Sequence, residues 1–421
     1  MFLRRTQKNV TNLLARRTFM NNVDPGKRPV IVAAVRTAIG SFNGKLSSFD
    51  ATTLGALAIR GAIAQAGVSP NEVHEAYMGN VVQSNLGQAP GRQAVLNGGL
   101  PKTVCTTTLN KMCASGMKSA MLASQSVMLG INSTVIAGGF ESMSNAPYYL
   151  PKVRFGLRYG DGQLIDGLAK DGLTDAYNHK PMGWAAEECA KAYAITRQEQ
   201  DAYTIESYRR AAEATSSGAF KEEILSISVP GKPGAEPTYV NQDEEFANIR
   251  ADKIPTLKPA FTKDPDGTVT AANSSKLSDG AAALIIMSEE KAKRGGFKVI
   301  GRILGFADAE KDPNEFTTAP ADAIPKALKH SGINLSDVSY FEINEAFSVV
   351  ALANMKILGL DPANVNIYGG AVALGHPIGC SGARIIVTLL NALKRNGKSV
   401  GVAAICNGGG GASSIVIERV N

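Results

Sequence analysis

One pattern of residues occurs twice in this 421-residue chain, and that repetition restricts the fold more than any other feature. In the first copy, LGALAIRGAIAQAG (54–67) reads as a helix closed by Gly67, and VSPNEVHEAYMGNVV (68–82) returns to a strand. ADAIPKALKHSGINLSDVSYFEINEAF (321–347) has the same order of helix, glycine, Val-containing connector and strand. The next units agree: CASGMKSAMLASQSVMLG with STVIAGGFES (113–142) parallels GCSGARIIVTLLNALKRNG with KSVGVAAICNGGGG (379–411), so that Gly116 and Gly382 correspond. Helices alternating with apolar runs such as PVIVAAVRT (29–37) predict an α/β fold whose sheets are covered by helices. Residues 150–275 break this rhythm with Pro/Gly/charge-rich stretches such as PGKPGAEP and one helix near 183–217, the mark of an inserted loop domain.

The first 23 residues carry Arg4, Arg5, Lys8, Arg16 and Arg17, no acid, and scattered apolar positions. An Arg-rich, acid-free, amphipathic opening reads as a mitochondrial transit peptide, which directs the expectation to the mitochondrial matrix. Those five cations account for most of the net charge of +7, so the body is nearly balanced and nucleic acid is not an expected partner. No apolar stretch approaches the roughly 18 to 20 residues that cross a bilayer, so no membrane span is expected. Five cysteines without a close CxxC pair fit neither a disulfide framework nor a zinc site.

Four positions could carry chemistry. Cys113 in NKMCASGMKSAM precedes a helix-forming run, where exposed amides and the helix dipole favour a thiolate. His376, one of four histidines, lies in the glycine-rich GGAVALGHPIGCSGAR and is a candidate base. Cys406 ends the strand VGVAAICN beside four glycines whose amides are free to form an oxyanion hole. Asn344 in FEINEAFSVV sits between a strand and a helix, placed to cap that helix or hold a water. All four fall at strand–helix junctions, where α/β enzymes gather their ligands.

The blocks NKMCASGMKS, NEAFS, GGAVALGHPIGCSGAR and CNGGGGAS, in this order and at these separations, resemble the signature blocks of the thiolase family over roughly residues 28 to 421. The resemblance implies a duplicated thiolase fold, five-layered αβαβα, with an amino-terminal domain of 28–149 plus 276–300, a loop domain of 150–275 and a carboxyl-terminal domain of 301–421. It implies an acyltransferase that joins two acetyl-CoA into acetoacetyl-CoA, or cleaves short 3-ketoacyl-CoA, through an acyl-Cys113 intermediate. His376 would activate the sulfur, Cys406 would exchange the α proton, Asn344 would hold a water, and the amides of Cys113 and Gly408 would stabilise the oxyanion. Tyr208, Ile249, Arg250, Lys253 and Ser275 would contact coenzyme A. Tyr208, with carbonyls of Ala271, Ala272, Ser274 and Val372, matches a potassium site; no covalently bound cofactor is implied, and the assembly would be a homotetramer, a dimer of dimers.

Two stretches depart from the family pattern: PMGW (181–184), with Pro181 and the bulky Trp184 near the expected acyl pocket, and NIRADK (248–253), where Arg250 replaces a basic residue usual at Asn248. A broad-range 3-ketoacyl-CoA thiolase, and an inactive protein that only binds acyl-CoA, are the alternative expectations.

Overall fold

The computed structural model describes residues 23–231, 234 and 236–420; the transit-like segment lies outside them apart from Val23. Strand β1 (Pro29–Thr37) is buried along its whole length, as a strand covered on both faces must be. Helix α1 (Ala51–Ala66) follows, its first turn capped by the Asp50 carboxylate, which accepts from the Thr53 amide at 2.7 Å. It stops at Gly67, whose φ of 64° is a left-handed conformation that glycine adopts without penalty. Then come β2 (Glu75–Gly79), α2 (Pro90–Asn97), β3 (Cys105–Leu109), α3 (Ser115–Met128) and β4 (Thr134–Ser142).

The 150–275 segment contributes a short helix (Gly167–Gly172) and the longer α4 (Met182–Ala192) and α5 (Arg197–Ser216), with short 3-10 turns and two two-stranded ribbons, the first of which begins at Tyr148. The single helix expected near 183–217 is thus two. The break comes at Ala194, whose φ is 48°, and α5 restarts from a capping box in which Thr196 and Glu199 satisfy each other's backbone amides. Arg36 of β1 fastens this segment to the core: its buried guanidinium pairs with Glu223 at 2.7 Å and with both oxygens of Asp243 at 2.7 and 2.9 Å.

Strand β5 (Ser278–Ser288) closes the first half, and the second half runs β6 (Gly301–Glu310), α6 (Pro320–Ser331), β7 (Tyr340–Ile343), α7 (Ser348–Leu358), α8 (Ile378–Arg395), β8 (Val400–Asn407) and β9 (Gly411–Arg419). The strand order is β3-β2-β4-β5-β1 in the first half and β7-β8-β9-β6 in the second, with β1 and β6 joined through Val30–Arg302 and Ile31–Gly301. In the first half β2 pairs parallel with β3 and β4, and in the second β7 pairs parallel with β8; the remaining pairings within each half are antiparallel. A parallel bridge from Phe341 to Val365 stands where β3 pairs with β2, so the duplication extends to the sheet edge.

Helices α3 and α8 lie between the two half-sheets, packing Met117, Met121, Ile385, Leu389 and strand residues into one inner core. Helix α1 covers the outer face of the first half-sheet, and α6 that of the second. The result is the αβαβα layering that the thiolase resemblance implies. Among the described residues no helix is long and apolar enough to cross a membrane, and no cluster of His, Cys, Asp and Glu is arranged to hold a metal ion.

Candidate active site

The layering brings the amino-terminal ends of α3 and α8 together, and with them Cys113 and His376. Cys113 stands two residues before α3 on a knitted turn. Lys111 N–H donates to Ser115 Oγ at 2.8 Å, Met112 N–H to Asn110 Oδ1 at 2.9 Å, and Ser115 N–H to the Met112 carbonyl at 2.9 Å. Met112 has a φ of 47°, an uncommon conformation for a side chain of that size, held by those bonds immediately before the sulfur. The amides of Gly408 and of Cys113 itself both reach that sulfur.

His376 is buried at the entry to α8, and its backbone amide donates to the Lys276 carbonyl at 3.0 Å. Its Nδ1 meets Ser381 Oγ at 2.6 Å, and the Ser381 hydroxyl spends its own proton on the Pro377 carbonyl at 2.9 Å. Ser381 therefore accepts from Nδ1–H, and Nε2 keeps a free lone pair. Asn344 Nδ2 approaches that Nε2 at 3.5 Å, while Asn344 Oδ1 is buried with no partner. The expectation that Asn344 caps a helix is corrected: α7 begins at Ser348, its cap position is Phe347, and no side chain caps it. A buried Asn with one oxygen unsatisfied beside an imidazole has the shape of a water or ligand site.

Cys406 is fully buried at the end of β8, opposite Ala412, and is near enough to Cys113 for the two thiol charges to oppose each other. Burial pushes the Cys113 thiol up to about 11, against the pull of the Gly408 and Cys113 amides. Cys406 is raised well above the ordinary thiol value by burial and then by Cys113. Burial, with Arg384 adding its charge, lowers His376 to about 3. Desolvation thus opposes the helix end at the half-buried Cys113 and favours the thiol, while burial favours a neutral imidazole at His376.

Two buried carboxylates that carry no part of the sequence reading of the site hold its walls. Glu141 at the end of β4 accepts from Val81 N–H at 3.0 Å, Asn80 Nδ2 at 2.7 Å and Gly379 N–H at 2.9 Å, tying the first half to the first turn of α8, just after His376. Glu345 accepts from Tyr203 and Ser207 of α5, each at 2.8 Å, from Asn366 at 3.1 Å and from Val372 N–H at 3.0 Å. It fastens the inserted helix to the segment that carries Asn344. Glu141 follows Gly138-Gly139-Phe140 and repeats the position of Asn407 in the second copy, which is the one signal that pointed to it.

Tyr208 and Val372 share a buried cluster against which Ile249 packs, while Arg250 and Lys253 are exposed and Ser275 is half-buried, its N–H bonded to the Ala346 carbonyl at 3.0 Å. Trp184 packs with Phe347 and Cys406, and Met182 lies beside Gly408. The carbonyls of Ala271, Ala272 and Ser274 converge on one point, and the Lys276 ammonium sits there at 2.6, 3.2 and 2.9 Å. Those residues do not fit a potassium ion alongside the lysine.

Family models match nearly the whole described chain: thiolase, N-terminal domain, over residues 29–290, and thiolase, C-terminal domain, over 297–419. The acetyl-CoA acetyltransferase of Schizosaccharomyces pombe is 55% identical over 390 residues, which are 93% of this chain and 98% of that one. A probable acetyl-CoA acetyltransferase of Dictyostelium discoideum is 55% identical over 93% of this chain and 94% of its own. Among solved structures, the Acat5 thiolase from Ascaris suum in complex with coenzyme A superposes with a TM-score of 0.89 at 45% identity, covering 93% of this chain and all of the other. The Bacillus anthracis acetyl-CoA acetyltransferase gives 0.90 at 41%, over 93% and 99%. With its duplicated halves, its paired cysteines and its histidine all in the matched region, this chain belongs to the thiolase family.

Proposed function

We propose that the protein is an acetyl-CoA C-acetyltransferase, which interconverts two acetyl-CoA with acetoacetyl-CoA and coenzyme A through acetyl-Cys113. The observation that carries this reading is the pair of amides, Gly408 and Cys113, aimed at one sulfur with a second buried thiol beside it. In the cleavage direction, His376 Nε2 takes the Cys113 proton as the sulfur attacks the 3-keto carbon. The carbon–carbon bond breaks, and the enolate of acetyl-CoA takes the Cys406 proton. Coenzyme A thiol then attacks acetyl-Cys113, its proton passes to Cys406, and His376 returns its proton to Cys113. The neutral resting state of both thiols and the imidazole is the one this sequence needs. The two amides supply hydrogen bonds where negative charge appears on oxygen.

The short-chain reading is supported by the walls of the site. A Cβ on Gly408 would lie 3.6 Å from the Met182 methyl and 3.7 Å from the Met112 methyl, so two methionines line the site beside Gly408. Tyr208, Ile249, Arg250, Lys253 and Ser275 are proposed to hold coenzyme A, the exposed Arg250 and Lys253 meeting its anionic end. The basic, acid-free leader supports a mitochondrial matrix location. A homotetramer is supported by the exposed apolar run Leu150, Val153, Phe155, Leu157, Tyr159 and Leu164, a surface that favours burial against another chain.

The test is thiolysis of acetoacetyl-CoA and of longer 3-ketoacyl-CoA by protein lacking residues 1–23, with Cys113→Ala as control. Turnover confined to short chains and absent from the control supports the proposal. Equal turnover of long chains would make the protein a broad-range 3-ketoacyl-CoA thiolase, and coenzyme A binding without turnover would make it an inactive binder.

A further inference from the structure

Among the described residues, Lys276 is the one lysine whose three ammonium protons all end on backbone carbonyls of a single turn: Ala271, Ala272 and Ser274, at 2.6, 3.2 and 2.9 Å. Three donors meet three acceptors, so the ammonium is saturated without water. Around it, Glu245 supplies the nearby negative charge and also accepts from the Tyr208 hydroxyl. Carbonyl oxygens converging on one point repel one another unless a cation lies among them. The same turn is bonded to the catalytic segments on both sides. The Lys276 carbonyl accepts from His376 N–H at 3.0 Å and from Ser278 Oγ at 2.9 Å, and Ser275 N–H donates to the Ala346 carbonyl at 3.0 Å, two residues from Asn344.

We propose that Lys276 is a tethered cation, a positioning residue that occupies the carbonyl cup in place of an exchangeable monovalent ion and thereby makes this enzyme indifferent to potassium. A tethered ammonium holds the turn at any ionic composition, and the turn holds the His376 backbone. Removing the ammonium leaves three carbonyls facing one hole, with the Glu245 carboxylate supplying negative charge nearby, an oxygen ligand set of the kind that hard cations prefer. The cost of its loss falls on the alignment of His376 with Cys113, hence on kcat more than on KM.

The experiment compares thiolysis rates and thermal denaturation midpoints in KCl, NaCl and tetramethylammonium chloride at one ionic strength, for the wild-type protein and for Lys276→Ala and Lys276→Met. The wild type is expected to give the same rate and midpoint in all three salts. Lys276→Ala is expected to lose about tenfold in kcat in NaCl, as displaced supports of a catalytic group do, and to regain rate and thermal midpoint saturably with KCl. Lys276→Met fills the stem's space without a charge and is expected to lose rate without regaining it. A wild type that is both faster and more heat-stable in KCl than in NaCl overturns the proposal, and so does an alanine variant with unchanged rate and no response to ions. If neither variant folds, the wild-type comparison decides. The midpoints need no turnover, so a failure of the functional reading stays distinguishable from a failure of this one.

Discussion

Gly116 of α3 and Gly382 of α8 lie against each other across the approximate two-fold axis of the duplication. A Cβ on Gly116 would stand 2.6 Å from the Ala383 amide nitrogen and 3.0 Å from the Cys380 carbonyl, and one on Gly382 would run into the Met117 amide. The obstacles are backbone atoms, so side-chain rotation cannot relieve them. Because these helices begin next to Cys113 and His376, their close approach brings the two side chains to the same end of the helix pair. Gly382→Ala is expected to destabilise the protein by about 2 kcal/mol or more and to reduce turnover in what still folds, checked by denaturant titration alongside initial rates. A neutral result would mean that the helices have slack at this crossing.

Cys406 and Cys113 have separable duties. Cys406→Ser is expected to accept an acetyl group from acetyl-CoA onto Cys113, a thioester exchange that needs no carbon acid. Condensation to acetoacetyl-CoA is expected to fall by at least about a hundredfold, as loss of a positioned acid or base does. Acetylation followed by mass spectrometry and condensation followed by absorbance separate the two steps.

The protonation states predict an unusual pH response. With Cys113 raised to about 11, alkylation by iodoacetamide in the absence of substrate should be slow at neutral pH and still climbing past ~pH 9, since only the thiolate reacts. With His376 lowered to about 3, its imidazole stays neutral down to acid pH, so acylation by substrate should show no limb near ~pH 6.5, where a free histidine titrates. An alkylation rate that reaches its plateau below ~pH 8 would restore the thiolate at rest.

The fold and the placing of Cys113, His376, Cys406 and Asn344 at the ends of strands and helices were legible because each is carried by local order: the repeated helix–glycine–strand units, the small residues after Cys113, the glycines around His376 and Cys406. What local order hides is burial. The helix-end argument at Cys113 is sound for an exposed sulfur and is opposed by desolvation at one half-buried among Met112, Met143, Val81 and Ile378. Asn344 has the neighbours of a cap in sequence, but three more residues pass before α7 begins, so it turns inward to His376 instead. The division of α4 from α5 was written in Thr196-Arg197-Gln198-Glu199, with the capping-box pair Thr196 and Glu199 three apart, yet the continuous apolar rhythm on either side masked it. Lys276 is a plain charge in SSKLSD; only the folding of its turn shows that it answers three carbonyls.

Glu345 tests how the inserted helix is held to the core. Its carboxylate is fully buried and satisfies four donors from α5 and the second half. Glu345→Ala strands those donors and is expected to cost about 3 kcal/mol or more, with a lower thermal midpoint. Glu345→Gln keeps the volume and part of the acceptor set and should lose less. Equal losses in the two variants would show that packing, rather than the carboxylate, fastens α5.

The most direct test of the whole account is intact-protein mass spectrometry after brief mixing with acetoacetyl-CoA in the absence of free coenzyme A, followed by peptide mapping. The account predicts the gain of one acetyl group, on Cys113, lost again on adding coenzyme A and absent from Cys113→Ala. An acetyl group on another residue, or acetyl-CoA released with no covalent intermediate, would contradict it.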